Sequence, residues 1–292
     1  MIHVSNVLLP WSHVCLRFEG LSLRWNQTGK RVTGDGSRGL SASQFREPTL
    51  LYIDANGAAN GVTVIDTTVD GDHPEAFTFD KNGYIYLSSH NNNRVILYPP
   101  EFSNGTTVAG KNGVSSSALD RPNNPLGVDI DDDLNLYIID GNNKRVMKWV
   151  PNATNGTIVI GSASTPSFYG SLLSLYSSNE AYVSSEDTIP VYLWTFGASS
   201  HRVTLTHVNV TPSLLKAPKC MRHDSYGNLY VADSDNSRVV MYCANSTVGT
   251  VVVSGADSTP TLGQPDDVTL DSNLNIYAVD ENNQVVIKYE KL

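Results

Sequence analysis

Short apolar runs of four to six residues alternate along most of the chain with clusters of Asn, Asp and Gly. Runs of that length, rich in Val, Ile and Tyr and bounded by turn formers, predict strands, because they are too short for helices. The runs recur in sets of four. One set reads Asn124-Pro-Leu-Gly-Val-Asp-Ile-Asp131, Leu136-Tyr-Ile-Ile-Asp140, Arg145-Val-Met-Lys-Trp149 and Gly156-Thr-Ile-Val-Ile-Gly161. Further sets begin at His73, Ala217 and Gln264, and a degenerate one runs from Leu172 to Leu205. The tyrosine of the second run marks the period, with Tyr86, Tyr137, Tyr182, Tyr230 and Tyr277 spaced by 51, 45, 48 and 47 residues. A repeated four-stranded unit of that length predicts an all-β propeller, in which each twisted sheet buries its faces only by stacking on its neighbours.

The order x-Pro-x-Gly-Val-x-x-Asp, Leu-Tyr-Val-x-Asp, then Asn-x-Arg-Val closing on Trp or Tyr resembles the NHL repeat, over roughly residues 25–292 and most specifically at 124–161 and 217–254. Trp-Asp and Gly-Gly pairs are absent, so the WD40 and kelch signatures are not met. The resemblance implies a six-bladed propeller whose first strands line a central channel.

The last unit stops after its third strand at Tyr289, while Leu23-Arg-Trp25 and Lys30-Arg-Val-Thr-Gly34 match the end of a third strand and a fourth. The N-terminal segment is therefore expected to close the last blade, which removes an open edge. One unit is short: a first strand at Thr49–Asp54 and a fourth-like strand at Asn60–Ile65 leave only 26 residues between Asp54 and Asp80. The expectation is a six-bladed-type ring of five full blades and a truncated first blade. Residues 1–22 form an N-terminal extension and 23–292 a single propeller domain.

With 29 acidic and 20 basic residues the chain carries a net charge of −9, which argues against a nucleic-acid partner. No apolar run is long enough to span a bilayer. The N-terminus has no basic segment followed by an apolar core, so no signal peptide is read there. N-glycosylation sequons stand at Asn26, Asn104, Asn152, Asn155, Asn209 and Asn245. With 26 Asn in the chain, chance gives about four, so they favour an extracellular or secreted glycoprotein only slightly. The three cysteines, Cys15, Cys220 and Cys243, form no C-x-x-C. Cys220 falls on a first strand and Cys243 after a third, two strand spacings apart and at opposite ends, so no disulfide between them is expected, and Cys220 reads as a buried thiol.

The candidate chemistry is sparse. The pairs Asp140/Asn143, Asp233/Asn236 and Asp280/Asn283 sit in the turn between second and third strands and read as turn caps, with calcium loops as the alternative. Asp233-Ser-Asp235 begins like an EF-hand loop but lacks its glycine and its final glutamate. The residues before the recurring prolines, Glu47, His73, Asn124, Ala217 and Gln264, differ from blade to blade, and Glu47, His73, Asn124 and Gln264 are the candidate binding residues at the channel mouth. Arg94, Lys144-Arg145 and Arg238 are a possible basic face, since some NHL-type propellers bind single-stranded RNA. No metal-ligating histidine spacing, nucleophile elbow or phosphate loop is present.

Two functions follow from these readings. The first is a non-enzymatic recognition scaffold that binds a protein partner and needs no cofactor. The second is a metal-dependent enzyme of the lactonase or amidating-lyase kind, which the NHL pattern also resembles. Calcium or zinc would then be held in the channel by Glu47, His73 and Asn124.

Overall fold

The computed structural model describes residues 25–33, 74–100, 104–161, 172–185 and 188–292. Strand β1 (Lys30–Thr33) comes first. A sheet follows from β2 (Pro74–Phe79), β3 (Ile85–Ser89), β4 (Arg94–Tyr98) and β5 (Thr106–Gly110), and a second from β6 (Pro125–Ile130), β7 (Leu136–Asp140), β8 (Arg145–Trp149) and β9 (Thr157–Ile160). The degenerate repeat forms β10 (Leu173–Ser177), β11 (Glu180–Ser185), β12 (Thr188–Thr195) and β13 (Val203–Leu205). The fourth sheet adds β14 (His207–Val208) outside β15 (Pro218–His223), β16 (Leu229–Asp233), β17 (Arg238–Tyr242) and β18 (Val248–Ser254). The fifth holds β19 (Pro265–Leu270), β20 (Ile276–Asp280) and β21 (Val285–Tyr289), with β1 paired antiparallel to β21 as its fourth strand.

The described residues thus form five blades, not the six of the expected ring. The expected remnant at 49–65, and Glu47, His73 and Cys15, lie outside the described residues. Among the described residues no helix is long and apolar enough to cross a membrane.

Four apolar clusters among the described residues sit between blades, and another, of Tyr277, Val279, Val286 and Val32, lies within the fifth blade. Tyr86 and Val95 of the first blade pack with Ile138 and Met147 of the second. Tyr137 and Ile139 meet Val183 and Trp194 of the third. Leu193 and Leu205 meet Met221 and Val231 of the fourth. Tyr230 and Val239 meet Ala278 and Ile287 of the fifth, together with Trp25. Trp25 fixes the N-terminal segment by donating its indole N–H to the Leu274 carbonyl at 2.8 Å and by edge-on packing against Tyr230.

Consecutive strands of a blade are antiparallel, so each blade has two distinct edges. At one, the proline edge, the inner strands begin with Pro74, Pro125, Pro218 and Pro265 and the second strand turns into the third. At the other, the glycine edge, the third strand passes to the fourth. There Gly105, Gly156 and Gly249, with Gly29 in the fifth blade, lie against the aromatic residue that ends the third strand. A Cβ on Gly156 would stand 2.7 Å from two carbons of the Trp149 ring. Gly156→Ala is expected to lower stability by about 1–3 kcal/mol through overpacking, read as a lower urea midpoint at unchanged slope.

Candidate functional site

The proline edge is built around buried carboxylates. Asp140, with no solvent exposure, accepts the Asn123 N–H at 2.7 Å, both carboxylate oxygens meet the Asn143 side-chain amide at 2.9 Å, and Arg145 Nε donates at 2.6 Å. Asp233 repeats the set with the Lys216 N–H, Asn236 and Arg238. In the fifth blade Val285 replaces the arginine, and Asp280 accepts from the Gly263 N–H and from Asn283. These carboxylates are spent on the turn, which is the capping role rather than a calcium loop. Arg145 and Arg238 are likewise spent, since both are buried and their remaining donors reach the carbonyls of Ser117, Ala118 and Leu214.

A second polar set lies along the inner strands. The second-strand tyrosines pair across the ladder with Thr78, Asp129, Ser174, Arg222 and Thr269, one residue per blade at one level. This belt joins neighbouring blades. Thr78 Oγ1 donates to Asp129 Oδ1 at 3.2 Å, and the Leu175 N–H of the next blade donates to Asp129 Oδ2 at 2.8 Å. Burial raises the Asp129 carboxyl above its usual range, with those hydrogen bonds and Arg222 pulling the other way. Arg222 stands within electrostatic reach of Cys220, of Asp267 in the fifth blade and of Asp129 in the second. Ser174 Oγ and His223 Nδ1 are 2.9 Å apart, with Tyr176 and Tyr182 packed on the imidazole and no partner for its buried Nε2. Burial pulls His223 down to about 4, so the ring is neutral at physiological pH.

Cys220 is a free, buried thiol in contact with the Val268 carbonyl, and burial raises it far above the reactive range. Cys243 is disulfide-bonded to a partner outside the described residues. Toward the proline edge, Asp266 is 8% exposed, its Oδ1 has no hydrogen-bond partner, and burial together with nearby Glu281 pushes its carboxyl up to about 6.

Of the residues singled out by sequence, Glu47 and His73 are outside the described part. Asn124 and Gln264 stand at the proline edge of different blades. Asn124 has φ 59°, takes the Asn93 side-chain oxygen on its N–H and accepts the Gly141 N–H on its carbonyl. Ala217 and Gln264 accept the corresponding N–H groups of Ser234 and Glu281. The pre-proline backbone therefore does the same job in three blades whatever its side chain. Sequence reasoning missed the belt, although its signal was there: it is the residue two before the aspartate that ends the inner run at Asp80, Asp131, Asp224 and Asp271. Among the described residues no group of three or more His, Cys, Asp and Glu side chains is placed to hold a metal ion.

This geometry was compared with known proteins. No protein-family model matches the chain, and no curated protein matches it. Solved structures do. An auxiliary nutrient binding protein of Bacteroides ovatus superposes at TM-score 0.54 and 13% identity over 75% of this chain, which spans 59% of that protein's length. A gluconolactonase of Xanthomonas campestris gives 0.55 and 11%, covering 75% of this chain and 72% of that one. A chain of the nidogen–laminin complex gives 0.53 and 14%, covering 72% of each. The fold is a β-propeller. At these identities the likeness extends to the fold alone.

The two shifted groups give the propeller a pH signature with a definite sign. His223 binds its proton less readily folded than unfolded, so its contribution to stability is full above about 6.5 and is lost as pH falls toward 4. The loss is roughly 3 kcal/mol at one pKa unit per 1.36 kcal/mol. Asp266 acts in the opposite sense, stabilising at low pH and losing that contribution as pH rises through about 6. His223→Gln, which keeps a neutral partner for Ser174, removes the loss that offsets the Asp266 gain, so its urea midpoint is expected to rise relative to that of the parent protein as pH falls from 6.5 to 4. A difference between the two proteins that stays the same across this range would mean that the imidazole is not the group responsible.

Proposed function

We propose that this propeller is a non-enzymatic recognition scaffold of the NHL type that binds a protein partner through the loops of its proline edge. The observation that carries the reading is Arg222. The Arg222 guanidinium lies within electrostatic reach of both Asp267 and Asp129, and a second cation brought to them would be repelled by it. The repeated polar groups of the proline edge are consumed by the turns. Side chains of the second-to-third turns vary from blade to blade, as at Asn93, Lys144, Ser237 and Gln284. A rigid frame with unlike loops suits recognition of a partner surface. The burial of Arg145 and Arg238 supports a protein rather than an RNA partner, because it withdraws two of the guanidiniums a basic face would need.

The metal-dependent reading has one observation in its favour, the unpartnered Oδ1 of Asp266 beside Glu281. Elemental mass spectrometry of the purified chain, with and without chelator, separates the two. The scaffold reading expects no metal above background and the same melting temperature after chelation. One calcium or zinc retained per chain would reverse the order of the two readings.

A further inference from the structure

The six sequons are scattered in sequence but not in space. Asn104 lies between β4 and β5, Asn152 and Asn155 between β8 and β9, and Asn245 between β17 and β18. Asn26 takes the matching place in the fifth blade, with its N–H on the Glu290 carbonyl. Asn209 joins them from the fourth blade's outer strand by donating its N–H to Gly249. All six therefore gather at the glycine edge. The proline edge is also rich in asparagine, with ten in its second-to-third turns and pre-proline positions, and none of those ten has Ser or Thr two residues on.

The two groups also differ in what their amides do. At the proline edge the carboxamide nitrogens of Asn142, Asn143, Asn236 and Asn283 are committed to hydrogen bonds within the blade. At the glycine edge none of the six donates from its carboxamide nitrogen to any described residue, and five are exposed. Turn geometry explains part of this. Asn152 and Asn245 have φ of 64° and 63°, a region asparagine tolerates. It does not explain Thr154 and Thr247, which are exposed and fill no turn role. Nor does the repeat impose the spacing, since the sequon asparagine stands one, three or four residues before the structural glycine. The disulfide at Cys243 adds an independent sign of an oxidising compartment.

We propose that the glycine edge is a glycosylated rim that carries N-linked oligosaccharides at these asparagines and leaves the proline edge bare. In the transfer, the carboxamide nitrogen attacks the anomeric carbon of a polyprenyl-diphosphate-linked oligosaccharide. The nitrogen–carbon bond forms, the carbon–oxygen bond to diphosphate breaks, the amide proton passes to the transferase, and the polyprenyl diphosphate leaves. A bulky glycan on this edge bars protein contact there. That consequence, though not the modification itself, rests on the scaffold reading, because it confines the partner to the opposite edge.

The test is the mass of the protein from its native source before and after peptide-N-glycosidase, with peptide mapping for the Asn-to-Asp conversion that the enzyme leaves. The expected result is a heterogeneous mass above the 31.7 kDa of the polypeptide, collapsing on digestion, with conversion at the glycine-edge asparagines. In the full chain expressed through a eukaryotic secretory pathway, Asn104→Gln and Asn155→Gln should each remove one glycan step and leave the urea midpoint unchanged. A native mass equal to the polypeptide, with all six asparagines unmodified, overturns the proposal. That failure is distinct from failure of the scaffold reading, which the metal measurement decides on unglycosylated protein.

Discussion

A carboxylate sealed from water ties the turns of the second, fourth and fifth blades, at Asp140, Asp233 and Asp280. Asp140 and Asp233 have no solvent exposure, and a buried charge of that kind persists only where it is paired and its lone pairs are filled. Here the filling groups come from three places: the segment two residues before the inner-strand proline, the asparagine of the following turn, and the arginine that opens the third strand. One side chain thereby fixes where the inner strand starts and where the second strand turns. The arginine extends the tie to the long connection from the preceding blade, through the Ser117 and Ala118 carbonyls. Loops that differ in sequence are thus held to a common frame.

That frame separates the roles of the two edges. The proline edge is rigid at its backbone and variable in the side chains of its second-to-third turns. The glycine edge is set by an aromatic residue against a glycine, and its third-to-fourth loops carry exposed asparagines whose carboxamide nitrogens make no hydrogen bond to a described residue. Between them runs the belt of Thr78, Asp129, Ser174, Arg222 and Thr269, whose members reach from blade to blade. The belt is a means of joining inner strands whose free edges would otherwise leave N–H groups such as that of Leu175 without an acceptor. Within it, Arg222 pulls the Asp129 carboxyl back toward its ionised form.

The repeat was legible in the chain because apolar runs and turn residues keep their order even where identity drifts. The weak unit at Leu172–Leu205 forms a complete sheet, since Leu173, Ala181, Val183 and Trp194 still face the neighbouring core. The blade number was less legible. The resemblance supplied six, the described residues form five, and the short unit that would decide between them falls outside those residues. Two features of the site were not legible in the sequence. Arg145 and Arg238 look like surface cations in sequence but close a carboxylate cage, because their partners at Asp140 and Asp233 lie five residues away across a turn. The belt escaped notice because its members share only a position, and five different side chains become one feature only when the strand register is known.

The most direct test of this account is a double-mutant cycle on Asp233 and Arg238, measured by urea unfolding of Asp233→Asn, Arg238→Met and the double variant. If the buried pair organises the blade, each single change is strongly destabilising and the double is far less so than their sum, with a coupling of roughly 2–3 kcal/mol. Effects that add to within about 0.5 kcal/mol would contradict it, and would place the stability of the blade in its inter-blade apolar packing alone.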